Sequence, residues 1–404
     1  MDGAAEAWQS DWPQTQESYP SGRVPILEAD WVNGACQAIG MSPEVTQAFL
    51  RALPAYESNE ALRRVVWHCH AAIFHPRDGQ TPSLRRWPKP PQGLGEAGTM
   101  LYAIALLSGL PTAQRLHRER GIDESVTVET LQDFELWIRE YRNKHGVWGF
   151  DEFGWIVRHF TGCLFSLGRL QFEITCFPFD FHVYRNHATG RVVALAGDGS
   201  QFRPDGQFAD ADGMKATKDV WTARFGDDGR VIRGNPISPL GAAMPDTIEL
   251  KAEEWTPVLR KDDPTLSLHI PATGPMTHEG CGESLRRAMA FFPKHFPEFP
   301  FRAFTCVSWF LDNQFEQCLP STSNIVRFQR EVHLFPIPGA TAHQTLERVF
   351  GGPIADLERA PQETSLQRVI IGHLKAGGHW RMGGCFLLPE DLNWGGQAYR
   401  NKAM

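Results

Sequence analysis

The first 150 residues carry apolar positions at helical spacing and no run that alternates. Ser42 opens PEVTQAFLRAL, where a polar cap followed by Pro43 and Glu44 marks a helix start. Pro54 is expected to interrupt it. Asn59 caps a second helix, EALRRVVWHCHAAIF. Pro and Gly crowd the stretch from Asp78 to Gly95, which predicts a loop. GEAGTMLYAIALLSGLPTAQRLHRERG predicts two helices that break at Pro111, with Gly121 as the stop. VTVETLQDFELWIREYRNKHG sets Leu131, Phe134, Trp137, Ile138 and Tyr141 at helical spacing, and Gly146 ends it. Residues 1–25 mix Gln, Ser, Pro and acidic residues without an apolar period, and read as a disordered tail.

The pattern changes near Trp148. A short helix (DEFGWIVRHFTGCLF) leads into GRLQFEITCFPFDFHVY, which reads as strand. HATG turns the chain into RVVALAG. VWTARF and RVIRG flank GDDG, an Asp-Gly hairpin signal. TIELKAEEW and LSLHIP are further strands. Then helix (GESLRRAMAFFPKHF), strand (FRAFTCVSWFL), helix (NQFEQCL) and strand (IVRFQREVHLFPI) alternate. TAHQTLERVF and SLQRVIIGHLKAGG read as helices, and WRMGGCFLL as the last strand. This order predicts an α+β fold: a tail over 1–25, a helical domain over 26–150, and a sheet-rich domain over 151–404.

Composition agrees with two large units. The chain has 404 residues, and domains average about 150. A net charge of −7 argues against a protein whose main task is gripping nucleic acid. The 8 cysteines form no CxxC pair, which excludes a zinc ribbon or a thioredoxin motif. The N-terminus is polar and acidic, and the apolar run Met100 to Leu110 is too short to cross a bilayer. These features predict a cytoplasmic chain with reduced thiols and no membrane partner. The 13 tryptophans and 26 phenylalanines predict an aromatic-lined core or an aromatic-lined pocket.

Four constellations have chemical content. LSLHIP runs through ATGPMTHEGCGE into a helix, and Gly274, Gly280 and Gly282 let the backbone turn. Thr277 or Ser284 is the candidate cap, and free backbone N–H groups at the helix start suit a phosphate. An ordinary capped loop is the plainer alternative. Next, Cys306 and Ser308 share one face of a strand, with Val307 and Trp309 on the other. Cys306 has no visible base partner and reads as a core residue. His269 ends the strand before the glycine loop and is a candidate general base. Glu173 is a carboxylate on an otherwise apolar strand and is a second candidate base. His68, His70 and His75 do not converge on one helix face, so no metal site is expected.

Taken in sequence, these stretches resemble a family of two-domain bacterial acyltransferases with an N-terminal N-acyltransferase domain and a GNAT-like C-terminal domain. The resemblance is carried by LHRERGID, WGFDEFGWIVRHFTGCLFSLGRLQFE, LSLHIPATGPMTHEGCGESLRRAMAFFPKHFP, FRAFTCVSWFLDNQFEQCLPSTSNIVRFQREV and TSLQRVIIGHLKAGGHWR. It implies a GNAT-like sheet, mixed and mostly antiparallel, twisted and flanked by helices. It also implies transfer of an acyl or aminoacyl group from a thioester to an amine or hydroxyl of a small molecule, in a biosynthetic pathway. The donor is an acyl-CoA or an acyl-phosphopantetheine carrier protein, with no metal. In such folds a strand splays from its neighbour and admits the pantetheine arm. The usual Q/R-x-x-G-x-G/A loop is replaced by a longer one with Pro275 and His278.

The mechanism implied is direct attack in a ternary complex, with Glu173 or His269 as base. Backbone N–H groups around Cys306, Val307 and Ser308 polarise the carbonyl, and Ser308 protonates the leaving thiolate. His278, Gly274, Gly280 and Gly282 belong to the donor loop. Phe172, Phe304 and Trp309 line the acyl or acceptor pocket, and Ser323 and Asn324 orient the acceptor from a loop. Two other functions stand beside this one: a thioester-binding or scaffold protein without chemistry, and an aminoacyl-tRNA-dependent transferase.

Overall fold

The computed structural model describes Trp8, residues 11–76, Leu84, Trp87, Pro88, and residues 92–213 and 218–400. Most of the loop expected between Asp78 and Gly95 lies outside the described residues, as do residues 1–7 of the expected tail. Contacts divide the chain into two compact units. One comprises Met1–Glu173 with Ile270–Pro275, and the other Ile174–His269 with Met276–Met404.

The first unit is helical, as the periodicity predicts. Its longer helices are Ala29–Ala38, Pro43–Ser58, Glu60–Phe74, Leu110–Glu119, Asp133–His145 and the eight-residue Glu124–Leu131 and Phe153–Phe160. Phe49, Phe134, Phe150 and Phe160 are fully buried between them. Asn59 caps its helix by accepting the Leu62 N–H at 3.2 Å. Two expectations are corrected. Pro54 does not interrupt Pro43–Ser58 but lies inside it, since proline removes only one donor from a helix otherwise held by its buried face. Trp12–Glu17 is helix rather than unstructured tail. The Thr15 hydroxyl meets His68 Nδ1 at 2.7 Å, and Trp67 Nε1 donates to the Thr15 carbonyl at 3.0 Å.

The unit closes with a hairpin, β1 (Leu164–Leu167) against the start of β2 (Leu170–Cys176), in the register Phe165 with Phe172. Cys163-Leu164-Phe165 was expected to end a helix. The chain leaves the helix at Phe160 instead, through Gly162 at a φ of +71°. Ser166 N–H then donates to the Thr130 hydroxyl at 3.0 Å, which ties the hairpin to the helices. That tie explains why the unit runs to Glu173 and not to residue 150.

The second unit contains β3 (Phe181–Asn186), β4 (Val192–Ala196), β5 (Gln201–Phe202), β6 (Trp221–Thr222), β7 (Phe225–Asp227), β8 (Val231–Gly234), β9 (Pro236–Ser238), β10 (Ala242–Ala243), β11 (Ile248–Lys251), β12 (Trp255–Arg260), β13 (Pro264–His269), β14 (Ala303–Ser308), β15 (His333–Phe335) and β16 (Gly383–Leu387). β10-β9-β4-β3-β12 form one antiparallel sheet, and β11-β8-β7 a second. The expected Asp-Gly hairpin is β7–β8. Asp228 Oδ1 accepts the Arg230 and Val231 N–H groups at 2.9 and 2.8 Å, and Gly229 takes a φ of +80°. β13-β14-β16-β15 follow in that order, with β13 and β14 parallel and the other neighbours antiparallel. The eighteen-residue helix His278–His295 joins β13 to β14.

One strand expectation fails here. IVRFQREVHLFPI is a helix, Asn324–Glu331, followed by the short β15. Its inner face includes Gln329 and Glu331, both buried. Polar residues on the buried side disguise a helical period as an alternating one. Gln329 Nε2 is satisfied by the carbonyls of Phe310 at 2.7 Å and Asp312 at 2.9 Å.

Candidate active site

The parallel pair β13–β14 holds the feature of greatest chemical interest. Its register runs Thr265 with Ala303, Leu266 with Phe304, and Ser267 with Thr305, and stops there. Both strands continue, β13 to His269 and β14 to Ser308. On its other edge β14 stays paired with β16 through Ser308 and Gly383. The two strands therefore part into a fork, and the edge of β14 from Cys306 to Ser308 is released from β13. A parted strand edge presents backbone N–H and C=O groups that require partners. Val307 lies on this edge and is 38% exposed, unusual for a large apolar residue in the middle of a sheet.

Side chains at the fork divide by burial. His269 and Ser308 are half-buried. Cys306 is buried, and burial pushes its thiol up to about 12. A thiol at that value is not a nucleophile near neutrality, so Cys306 is packing, as its isolation in the sequence suggests. The adjoining turn is braced. Asp312, fully buried, accepts the Arg381 N–H at 2.8 Å and the Gln314 N–H at 3.1 Å, which ties the segment after β14 to the segment before β16. Burial pushes the Asp312 carboxyl up.

Thr277 caps the helix that follows β13, its hydroxyl accepting the Gly280 N–H at 3.2 Å. Glu279 is held below the usual carboxylate range, first by its own backbone N–H and then by Arg327, 3.0 Å away. Thr277 and Glu279 thus occupy donors of the first turn. Gly280 and Gly282 lie inside the helix, which corrects their expected role as loop hinges. Gly282 serves close approach instead. A Cβ there would sit 2.5 Å from Cδ1 of Trp394. Trp394 Nε1 donates to the His278 carbonyl at 2.7 Å. His278 is buried, its Nε2 3.0 Å from Glu331 Oε1, while Glu331 Oε2 accepts the N–H groups of Gly395 and Gln397 at 2.9 and 3.2 Å. His278 therefore latches the helix start to the C-terminal segment.

The remaining expected site residues are distributed as follows. Trp309 stacks edge-on against Phe315, 5.8 Å between centroids, in a cluster with Trp380. It is packing rather than pocket lining. Ser323 and Asn324 begin the Asn324–Glu331 helix and do not form a loop before a strand. In the first unit, Phe172 is fully buried, and Phe304 of the second unit is likewise core. Glu173 is 18% exposed and paired with Arg158, whose Nη1 lies 2.9 and 3.0 Å from its two oxygens. Gly274 adopts a φ of +152°, where a side chain is strained.

Two residues that the sequence reading passed over carry weight. Arg169, at the turn of the β1–β2 hairpin, donates to the carbonyls of Pro271 at 2.9 Å, Gly274 at 2.7 Å and Pro275 at 3.0 Å. One guanidinium thus shapes the loop that leads into the capped helix. Its sequence signal is only an Arg after a turn glycine. Glu331 is the other, hidden because its segment was read as a strand.

The sequence profile of the GNAT-like C-terminal domain matches residues 164–387, and that of the N-acyltransferase N-terminal domain matches residues 31–162. No curated protein matches the chain. Among solved structures, an acyltransferase in complex with decanoyl-CoA and teicoplanin is 25% identical, with a TM-score of 0.64 over 95% of both chains. An acyltransferase mutant in complex with octanoyl-CoA is also 25% identical, with a TM-score of 0.65 over 95% of both chains.

Proposed function

Because the chain belongs to the two-domain acyltransferase family, with an N-acyltransferase N-terminal domain and a GNAT-like C-terminal domain, and is an acyltransferase, we propose that it moves an acyl group from acyl-CoA to the amine of a small molecule. The observation that carries the reading is the fork between β13 and β14, with Val307 exposed on the parted edge. A pantetheine arm is a chain of amides and methylenes. It suits an open strand edge, where it can pair as a strand would. The similar structures hold octanoyl-CoA and decanoyl-CoA, which supports CoA over a carrier protein as donor.

The chemistry is direct. The acceptor nitrogen attacks the thioester carbonyl carbon and a C–N bond forms. Negative charge collects on the carbonyl oxygen, which N–H groups of the parted edge stabilise. The proton leaving nitrogen passes to His269, at the end of β13, directly or through water. The C–S bond then breaks, and the thiolate takes a proton from Ser308, which recovers one from solvent. Of the two candidate bases we assign the role to His269, which ends β13 at the fork, whereas Glu173 is paired with Arg158. Cys306 takes no part, and no acyl-enzyme forms.

The test incubates the protein with acetyl-, octanoyl- and decanoyl-CoA, or with an acyl carrier protein, and a panel of amines that includes teicoplanin. Thiol release and product mass are followed together. Acceptor-dependent thiol release from CoA thioesters is expected. Binding of donor without release under any acceptor would leave only the non-catalytic reading. Release at the wild-type rate by His269→Ala would remove His269 as the base.

A further inference from the structure

The antiparallel sheets of the second unit line a half-open pocket of about 350 Å³. It is lined entirely by residues between His182 and Arg260, none of which belongs to the β13–β14 fork. Pockets that hold small ligands begin near about 300 Å³. The floor is apolar, with Val183, Ile232 and Leu259 buried. The walls are flat rings. His182 lies face to face on Phe225, 3.7 Å between centroids and 3° between planes, and Trp255 and Tyr184 contribute the others. Burial pushes His182 down, so this ring is neutral at pH 7.

Charge at the rim is asymmetric. Asp227 accepts only the Gly229 N–H of its own turn, at 2.9 Å, and has no ion-pair partner among the described residues. Arg260 carries its own counter-ion. Its Nε lies 3.8 Å from Asp263 Oδ1, and its main-chain N–H donates to Asp263 Oδ2 at 2.9 Å. His182 Nε2 faces Asp180 Oδ1 at 3.7 Å. The rim therefore offers an exposed carboxylate without an ion-pair partner beside aromatic walls, with Arg260 and its own counter-ion on the same rim, and a carboxylate beside aromatic rings is a combination that holds an organic ammonium.

We propose that this cavity binds a small amine, its protonated nitrogen on Asp227 and its compact apolar or aromatic body between Phe225 and Trp255. The site is independent of the acyl-transfer reading, because none of its residues serves the fork.

Full-length protein is titrated with phenethylamine and, separately, with 3-phenylpropanoate, which has a similar body and the opposite charge. Binding is read by calorimetry. Saturable binding of the amine is expected, with the carboxylate at least about tenfold weaker. Asp227→Asn removes a charge-assisted contact and should weaken the amine by about tenfold or more. Ala252→Phe, at the cavity wall, should abolish binding by filling it. Acyl transfer at saturating substrate should be unchanged in Asp227→Asn. The proposal is overturned if the carboxylate binds as well as the amine, if Asp227→Asn binds the amine like the wild type, or if neither probe binds.

Discussion

Acid should weaken the helical unit well before it titrates the carboxylates. His68, His70 and His117 are buried there, each with a hydroxyl at Nδ1: Thr15, Ser108 and Thr127, all at 2.7 Å. Burial pushes each from an ordinary 6.5 down to about 4. The native state therefore keeps them neutral to about pH 4, while the unfolded chain protonates them from about pH 6.5 downward. Within that window the unfolded state binds more protons, so stability falls as pH falls, and the loss levels off below pH 4. At about 1.4 kcal/mol per pKa unit the full loss is about 3 kcal/mol per histidine. Between pH 7 and pH 5 each loses about 2 kcal/mol, and the three together about 5–6 kcal/mol. A typical domain has about 5–15 kcal/mol in total. Asp133 and Glu135, both held below their ordinary values of 3.8 and 4.5, lose their stabilisation only at lower pH. Urea unfolding at pH 7, 6 and 5 and constant ionic strength, with hydrogen exchange read over Glu60–Phe74, measures the effect. His117→Gln should remove about 2 kcal/mol of the loss. A stability that is flat within about 1 kcal/mol from pH 7 to 5 would refute the reasoning.

Three further outcomes follow from the site. Arg169→Ala removes three carbonyl contacts within the first unit and should lower stability by about 1–3 kcal/mol. Arg169→Lys should recover little, because an ammonium lacks the planar fork that spans the three carbonyls, and urea unfolding of both variants decides it. Gly282→Ala forces a Cβ against Trp394, 2.5 Å away, and should lower stability by about 1–3 kcal/mol. Denaturant unfolding reads that loss, which a small-to-large change at an open site would not produce. Cys306→Ala should keep kcat within about twofold, since a thiol raised to about 12 is not the nucleophile. Intact mass after mixing wild type with acyl-CoA alone should show no acyl adduct.

How far the sequence is legible differs by element. Helices with a clean apolar face were readable, down to the Asn59 cap and the Gly146 stop, which adopts a φ of +73°. The Asp-Gly turn at 228–229 was readable because its chemistry is local. Asn324–Glu331 was not, because Gln329 and Glu331 are buried polar residues whose partners come from distant segments. Pro54 misled for the opposite reason: a local breaker lost to tertiary packing. Gly280 and Gly282 were flagged for flexibility, yet Gly282 is required by a tryptophan more than 100 residues away. Local rules see turns and caps, and they do not see who approaches from elsewhere.

The proposed active site illustrates the same limit from the side of chemistry. Its central feature is a place where backbone pairing stops, after Ser267 and Thr305. Backbone N–H groups are present at nearly every residue, so their use leaves no motif. What the sequence does carry is the order strand, loop, capped helix, strand, and a small residue at each crowded point: Gly383, whose Cβ would lie 2.2 Å from the Leu311 carbonyl oxygen, and Gly384, 2.1 Å from the Phe335 ring. These glycines make room for Leu311 and for Phe335 of β15, while β16 pairs with β14 from Phe304 to Ser308 and β13 diverges. One edge must be firmly paired if the other is to remain open. A substitution at Gly383 should therefore act on catalysis through the pairing of Ser308, even though glycine has no side chain to offer the substrate.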